Sequence, residues 1–201
     1  YYSYLQLMYY KYWINDTVLP DSLCDTIIQQ VEQEQQFGPL RYGTLYGQRQ
    51  DPDLRTSGVL LFPATTWIGG MLSHYVNIAN RTTFEFDLDD MWAGNNIQYT
   101  MYKGGEHYTW HSDEHLTNRE DGQSVPHLRK LSFSLQLTDP SEYTGGDVQI
   151  IDDTGGRGML TIPKERGTLC IFDSRTRHRV KPVKTGKRFV LVGWVLGPRW
   201  K

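Results

Sequence analysis

The chain has 201 residues, 38% hydrophobic and 22% charged, which suits one domain with a sizeable core and reads as soluble and globular rather than disordered. A formal net charge of −2 argues against a general nucleic-acid binder, which would carry a strongly basic balance. Its two cysteines, Cys24 and Cys170, lie far apart inside apolar segments, which argues against a disulfide scaffold and for a reducing compartment.

The opening residues, Tyr1-Tyr2-Ser3-Tyr4-Leu5, lack the basic region and cleavage site of a secretory signal, and no initiator Met precedes them, so the N-terminus reads as trimmed. No apolar run approaches the roughly 20 residues that span a bilayer. The expectation is a cytoplasmic protein with no membrane contact. A helix is expected over 20–38, with Ser22-x-x-Asp25 as a capping box, Leu23, Ile27 and Val31 at four-residue spacing, and Gly38 at the C-terminal cap. A second is expected over 64–79, with Ile68, Leu72, Val76 and Ala79 on one face, weakened by about 1 kcal/mol for each of Gly69 and Gly70.

From about residue 84 the pattern changes to short strands. Asn96–Tyr102, Leu131–Thr138, Asp147–Ile151, Gly167–Phe172 and Arg188–Leu196 are separated by turns at 103–105, 145–146, 152–156 and 185–186. Even punctuation of many short strands predicts a mainly β fold with flanking helices. Its core would be a double-stranded β-helix (a jelly-roll, cupin-like arrangement) over about 84–201, supported by helices in about 1–83, all in one domain. The polar stretch His115–Ser124 reads as a mobile loop.

The chemistry concentrates in His111-Ser112-Asp113, an H-x-D tripeptide after a strand-like stretch. In extended chain, residues i and i+2 point to the same side, so imidazole and carboxylate can converge. His178, in Asp173-Ser174-Arg175-Thr176-Arg177-His178, follows another apolar strand and would complete two His and one carboxylate. That triad suits non-haem iron(II), with coordination positions left open, though zinc also accepts His and Asp. Arg188 tips the balance to iron. It lies 10 residues after His178 at the head of a strand, where a buried guanidinium can fork the distal carboxylate of 2-oxoglutarate. Ser132, Ser134 and Gln136 alternate with apolar residues, so one polar strand face is expected to line the pocket.

These segments resemble the prolyl 4-hydroxylase-like branch of the 2-oxoglutarate/Fe(II) oxygenases. The matching residues are Tyr102-Lys-Gly-Gly-Glu-His-Tyr108-Thr-Trp-His111-Ser-Asp113, Leu131-Ser-Phe-Ser-Leu-Gln-Leu-Thr-Asp, Tyr143-Thr-Gly-Gly-Asp147 and Gly167-Thr-Leu-Cys-Ile-Phe172. They continue with His178-Arg-Val-Lys-Pro-Val183, Gly186-Lys-Arg188 and Gly193-Trp194, so the likeness runs from about Gln98 to Pro198. The resemblance implies that His111, Asp113 and His178 bind Fe(II) and that Arg188 grips 2-oxoglutarate. It also implies that Tyr102 contacts the cosubstrate, that Trp194 forms an aromatic wall near the metal, and that Gln136 occupies a carboxylate-partner position without supplying charge. O2 is the second cosubstrate, and ascorbate the reductant of this branch. Relatives that halogenate lack the carboxylate at Asp113, so hydroxylation is implied.

The leading expectation for the substrate is a proline-containing peptide or protein, by analogy alone. Alternatives are a free amino acid or other small molecule, and, from a different class, a cupin-like metal-binding module without turnover. Demethylation of alkylated bases fits poorly, because no basic stripe is present. Tyr108, Trp110 and Arg177 are candidate substrate contacts beside the metal. Arg175, Arg177, Arg179, Lys181, Lys184 and Lys187 read either as a solvated rim or as an attractor for an acidic substrate. His74, His107, His115 and His127 read as ordinary surface or hydrogen-bonded residues.

Overall fold

The computed structural model describes residues 11–33, 41–42, 51, 53–91, 96–117, 127–152 and 158–200. The first ten residues, Gly38 and most of the 152–156 turn lie outside them. Fifteen strands and helices are used below: β1 Tyr12–Asn15, α1 Asp21–Gln33, β2 Arg41–Tyr42, β3 Gly58–Pro63, α2 Trp67–Ala79, β4 Asn96–Lys103, β5 Tyr108–His111, β6 Leu116–Thr117, β7 His127–Gln136, β8 Tyr143–Gly145, β9 Val148–Ile150, β10 Leu160–Thr161, β11 Leu169–Asp173, β12 His178–Val180 and β13 Val183–Gly197.

The strands build two antiparallel sheets, as a double-stranded β-helix requires. The larger runs β1-β11-β7-β13-β4-β3-β2, with β6 added to β7 and β8 to β13; the smaller runs β10-β9-β12-β5. The half expected to be helical also contributes β1, β2 and β3 to the larger sheet. β1 and β2 are too short for periodicity to reveal, and β3, Gly-Val-Leu-Leu-Phe-Pro, is an unbroken apolar run that helix and strand share.

Strand alternation divides the larger sheet into a greasy face and a working face. On β7, Leu131, Phe133 and Leu135 join the main core, as do Ile97 and Tyr99 of β4, Leu169 and Ile171 of β11 and Leu191 and Val195 of β13. Against them pack Cys24, Ile27 and Val31 from α1 and Ile68, Leu72, Val76 and Ala79 from α2. Each fully buried aliphatic side chain is worth about 1.5–3 kcal/mol, so this layer anchors the sheet. The opposite residues of the same strands (Tyr102, Ser132, Ser134, Arg188, Trp194) face the smaller sheet.

Both helices start later than expected. α1 begins at Asp21, which places Ser22 inside the first turn, where its carbonyl accepts from Thr26 Oγ1 at 2.7 Å. α2 begins at Trp67, where Thr66 caps by accepting from the Gly69 amide at 3.4 Å. Gly69 is there for space: a Cβ would stand 1.9 Å from the Ala64 carbonyl oxygen. Part of the expected mobile loop is ordered, since Leu116 and Thr117 pair with Leu128 and His127; residues 118–126 lie outside the described residues. No helix among the described residues is long and apolar enough to cross a membrane.

Candidate active site

The two sheets enclose a cavity of about 370 Å³ lined from both sides. β5 and β12 pair with His111 directly opposite His178, so two residues 67 positions apart become neighbours by register. Their rings sit 4.1 Å apart between centroids. The turn that returns the chain to β12 is set by Asp173, whose carboxylate accepts from the Arg175 amide at 2.9 Å and from its guanidinium. The carbonyl of Ser174, in that turn, takes the amides of both Asp113 and Glu114 at 2.9 Å. This clamps the H-x-D segment against the turn before His178.

The Asp113 carboxylate lies between the two imidazoles, with Oδ1 3.5 Å from His111 Nε2 and Oδ2 3.4 Å from His178 Nε2. One ligand atom from each residue lies within 4.8 Å of the others. With metal bonds near 2.1 Å, donors at right angles sit about 3 Å apart, so the spacing suits a three-ligand face. The tautomers fit too. His111 Nδ1 is 2.8 Å from the Thr109 carbonyl and His178 Nδ1 is 3.0 Å from that of Thr176. A carbonyl only accepts, so each Nδ1 carries the proton and each Nε2 turns its lone pair inward.

Burial opposes charge on Asp113, but His178 and His111 beside it, with the Trp194 indole, outweigh that and hold its carboxyl well below the usual carboxylate range. Burial pushes the His178 imidazole down, favouring the neutral, ligating form. Ser132 Oγ donates to Asp113 Oδ2 at 2.8 Å and lies 2.9 Å from Ser174 Oγ. Since a carboxylate only accepts, Ser132 spends its proton on Asp113 and receives that of Ser174. The chain Ser174 to Ser132 to Asp113 is therefore fully directed.

Arg188, on β13 opposite Tyr102 of β4, is 3% exposed, yet no carboxylate among the described residues pairs with it. Its guanidinium lies 5.7 Å from the Tyr102 ring centre, and both residues line the cavity. A buried guanidinium without an anion is costly, so this end of the cavity is built to receive one. A dicarboxylate that chelates a metal at one end meets that demand with the other.

The remaining sequence candidates separate. Tyr108 and Trp194 line the cavity: Tyr108 stacks on His111 at 3.5 Å between centroids, and Arg129 covers Trp194 at 3.7 Å. Gln136 lines a small pocket behind Arg188 with Tyr143 and Lys164, and its amide nitrogen already faces the Thr138 carbonyl (3.0 Å) and the Tyr143 hydroxyl (3.3 Å). Trp110 lies under Arg179, and Arg177 is exposed; neither is among the cavity-lining residues. Three titratable lining residues carried no functional expectation: Arg55, Arg129 and His115. His115 Nδ1 lies 3.1 Å from the Asp113 carbonyl. An Arg or His in a polar stretch looks like any solvated side chain until the fold turns it inward.

A jelly roll holding two histidines, a carboxylate and a buried guanidinium that is unpaired among the described residues fits the composition of a non-haem metal oxygenase site. The family model described as "2OG-Fe(II) oxygenase superfamily" matches residues 97–196, and the chain belongs to that family. Among curated proteins, a PKHD-type hydroxylase of Synechococcus elongatus is 35% identical over 100 residues, covering 50% of this chain and 42% of the relative. A PKHD-type hydroxylase of Janthinobacterium is 33% identical over 97 residues, covering 48% and 41%. The chain thus spans about two fifths of the length of the curated relatives it matches.

Solved structures share the fold. A Trichoplax adhaerens prolyl hydroxylase, solved with a hypoxia inducible factor oxygen degradation domain peptide fragment, superposes with a TM-score of 0.72 at 18% identity, covering 93% of this chain and 84% of that one. A Pseudomonas putida prolyl-4-hydroxylase gives 0.65 at 16% identity, covering 94% of each chain. The family's cofactors are Fe(II) and 2-oxoglutarate, and the donor set and the unpaired Arg188 fit both.

Proposed function

We propose that this chain is an Fe(II)- and 2-oxoglutarate-dependent hydroxylase in which His111, Asp113 and His178 hold the metal and Arg188 forks the distal carboxylate of 2-oxoglutarate. One observation carries the reading: an unpaired, buried guanidinium shares a cavity with a two-His, one-carboxylate cluster. Bound iron supplies the redox chemistry by which O2 converts 2-oxoglutarate to succinate and CO2 and adds one oxygen atom to a substrate C–H bond.

The protein's own share is placement. Thr109 and Thr176 carbonyls keep the Nε2 lone pairs pointing inward, and Ser132 orients the carboxylate. Tyr102, beside Arg188, would contact the bound cosubstrate, and Phe172, Val180, Val190 and Val192 supply apolar lining. Trp194 and Tyr108 form aromatic walls for the substrate.

For the substrate we favour a peptidyl proline, hydroxylated at C4. The sequence resemblance and the naming of the structural relatives support that choice. The test is succinate formation from 2-oxoglutarate with Fe(II), followed by mass spectrometry of Pro-containing and Pro-free peptides. A one-oxygen gain confined to Pro peptides is the expected result. Turnover without peptide modification would refute the prolyl choice. A protein that binds metal yet never forms succinate would refute the enzyme reading and leave a metal-binding module.

A further inference from the structure

We propose that Arg55 is a recognition site for a carboxylate carried by the primary substrate, one aromatic ring away from the ligand His111. The proposal rests on the oxygenase reading above, because it assumes that Arg188 is occupied by the cosubstrate.

Arg55 is 8% exposed and lines the same cavity as Arg188. Its Nε donates to Ser57 Oγ at 2.9 Å, and its guanidinium carbon lies 4.9 Å from the centre of the Tyr108 ring. Tyr108 in turn stacks on His111. The backbone is pinned as well: Arg55 bridges Tyr108, its amide donates to the Asp51 carbonyl at 2.9 Å, and Thr56 exchanges amide–carbonyl bonds with His107 at 2.9 and 3.2 Å. The guanidinium is therefore held in place, with its two terminal nitrogens meeting no carboxylate among the described residues.

A buried charge left without an opposite partner is strongly destabilising. Arg188 is relieved when 2-oxoglutarate binds, but the same molecule cannot relieve Arg55. Its keto-acid end would chelate the metal and its far carboxylate would fork Arg188, which lies by Tyr102, whereas Arg55 lies by Tyr108. Charge over the whole cavity agrees. Among the described lining residues, the guanidiniums of Arg55 and Arg188 stand against the carboxylate of Asp113. A divalent metal and a dianionic cosubstrate cancel each other and leave that positive excess intact. Two terminal N–H groups in one plane match a carboxylate fork. The carboxylate could come from an acidic side chain next to the reacting residue of a peptide, or from the free α-carboxylate of an amino acid. In either case the reacting C–H and the anion lie within a short molecule's length.

The experiment uses the whole chain loaded with Ni(II) and 2-oxoglutarate, so that binding is read without turnover. Two matched pairs are titrated by calorimetry: capped Pro-Glu against capped Pro-Gln, and L-proline against L-prolinamide. A charged hydrogen-bonded contact of about 1.5–3 kcal/mol gives a preference of about tenfold to a hundredfold for the acid. We expect that preference in at least one pair, its loss in Arg55→Gln, and its partial retention in Arg55→Lys. A preference in the first pair assigns the anion to a peptide side chain; one confined to the second assigns it to a free amino acid.

A purely structural Arg55 would make Arg55→Gln less thermally stable. Relief of an unmatched charge instead predicts a melting temperature that holds or rises, and this reading needs no ligand. Equal affinity for acid and amide, no binding by either acid, or a preference that survives Arg55→Gln would each overturn the proposal. Failure of the oxygenase reading would show separately, as wild-type protein that does not bind 2-oxoglutarate.

Discussion

Replacing Ser132 by Ala tests whether the site is held together by more than its three ligands. The change removes the hydroxyl that donates to Asp113 Oδ2 at 2.8 Å and takes the proton of Ser174 at 2.9 Å. Both serines are buried, so no bulk solvent stands ready to replace the lost bond. Hydrogen bonds to charged groups contribute about 1.5–3 kcal/mol, and about 1.4 kcal/mol is a tenfold change in binding. The expected loss in metal affinity is therefore about tenfold to a hundredfold, which is the range usual for groups that orient metal ligands. Competitive titration of Co(II) against a chelator measures it directly. The 2-oxoglutarate affinity of the metal-loaded variant should stay close to wild type, because Arg188 is untouched. A Ser132→Ala protein that is folded and binds Co(II) as tightly as wild type would refute the positioning role.

Asp113→Ala should lose retained Fe(II) after desalting, measured by elemental analysis; full retention with activity would remove Asp113 from the ligand set. Arg188→Ala should raise the 2-oxoglutarate KM by about thirtyfold or more, for a loss of at least about 2 kcal/mol from a truncated buried ion pair, while the Fe(II) requirement moves little. Equal shifts in both would separate Arg188 from the cosubstrate. Gly193→Ala would bring a Cβ to 2.4 Å from the Phe133 ring, so urea unfolding should show about 1–3 kcal/mol of destabilisation from overpacking. Cys24 and Cys170 are fully buried, and burial pushes both thiols up. Iodoacetamide should therefore leave the native mass unchanged and add two groups only after denaturation.

Local pattern made much of this protein legible. Alternation on β7 separated Leu131, Phe133 and Leu135 from Ser132, Ser134 and Gln136, because strand side chains point to opposite faces. Four-residue spacing located the buried face of α2, and the i, i+2 rule paired the side chains of His111 and Asp113. The fold class followed from punctuation by Gly and Asp turns. The helix starts were read one and three residues early, because helix ends fray and sequence alone does not fix the terminal residue.

Other features depend on contacts that local sequence does not encode. β1, β2 and β3 are strands because partners distant in sequence satisfy their backbone groups, and short or uniformly apolar runs carry no period of their own. Gln136 sits on the expected face, yet its amide faces Thr138 and Tyr143, a matter of which neighbours the turn after β7 delivers. Arg55 shows the difference most clearly. In the sequence it is one arginine in a polar stretch ahead of β3. The bridge to Tyr108 turns it into the cavity, and burial makes it an unmatched charge there. Composition and periodicity determined the scaffold, and the H-x-D spacing picked out the candidate ligands His111 and Asp113. Only packing decided which charges lost their water, and a charge that has lost its water is what selects a ligand.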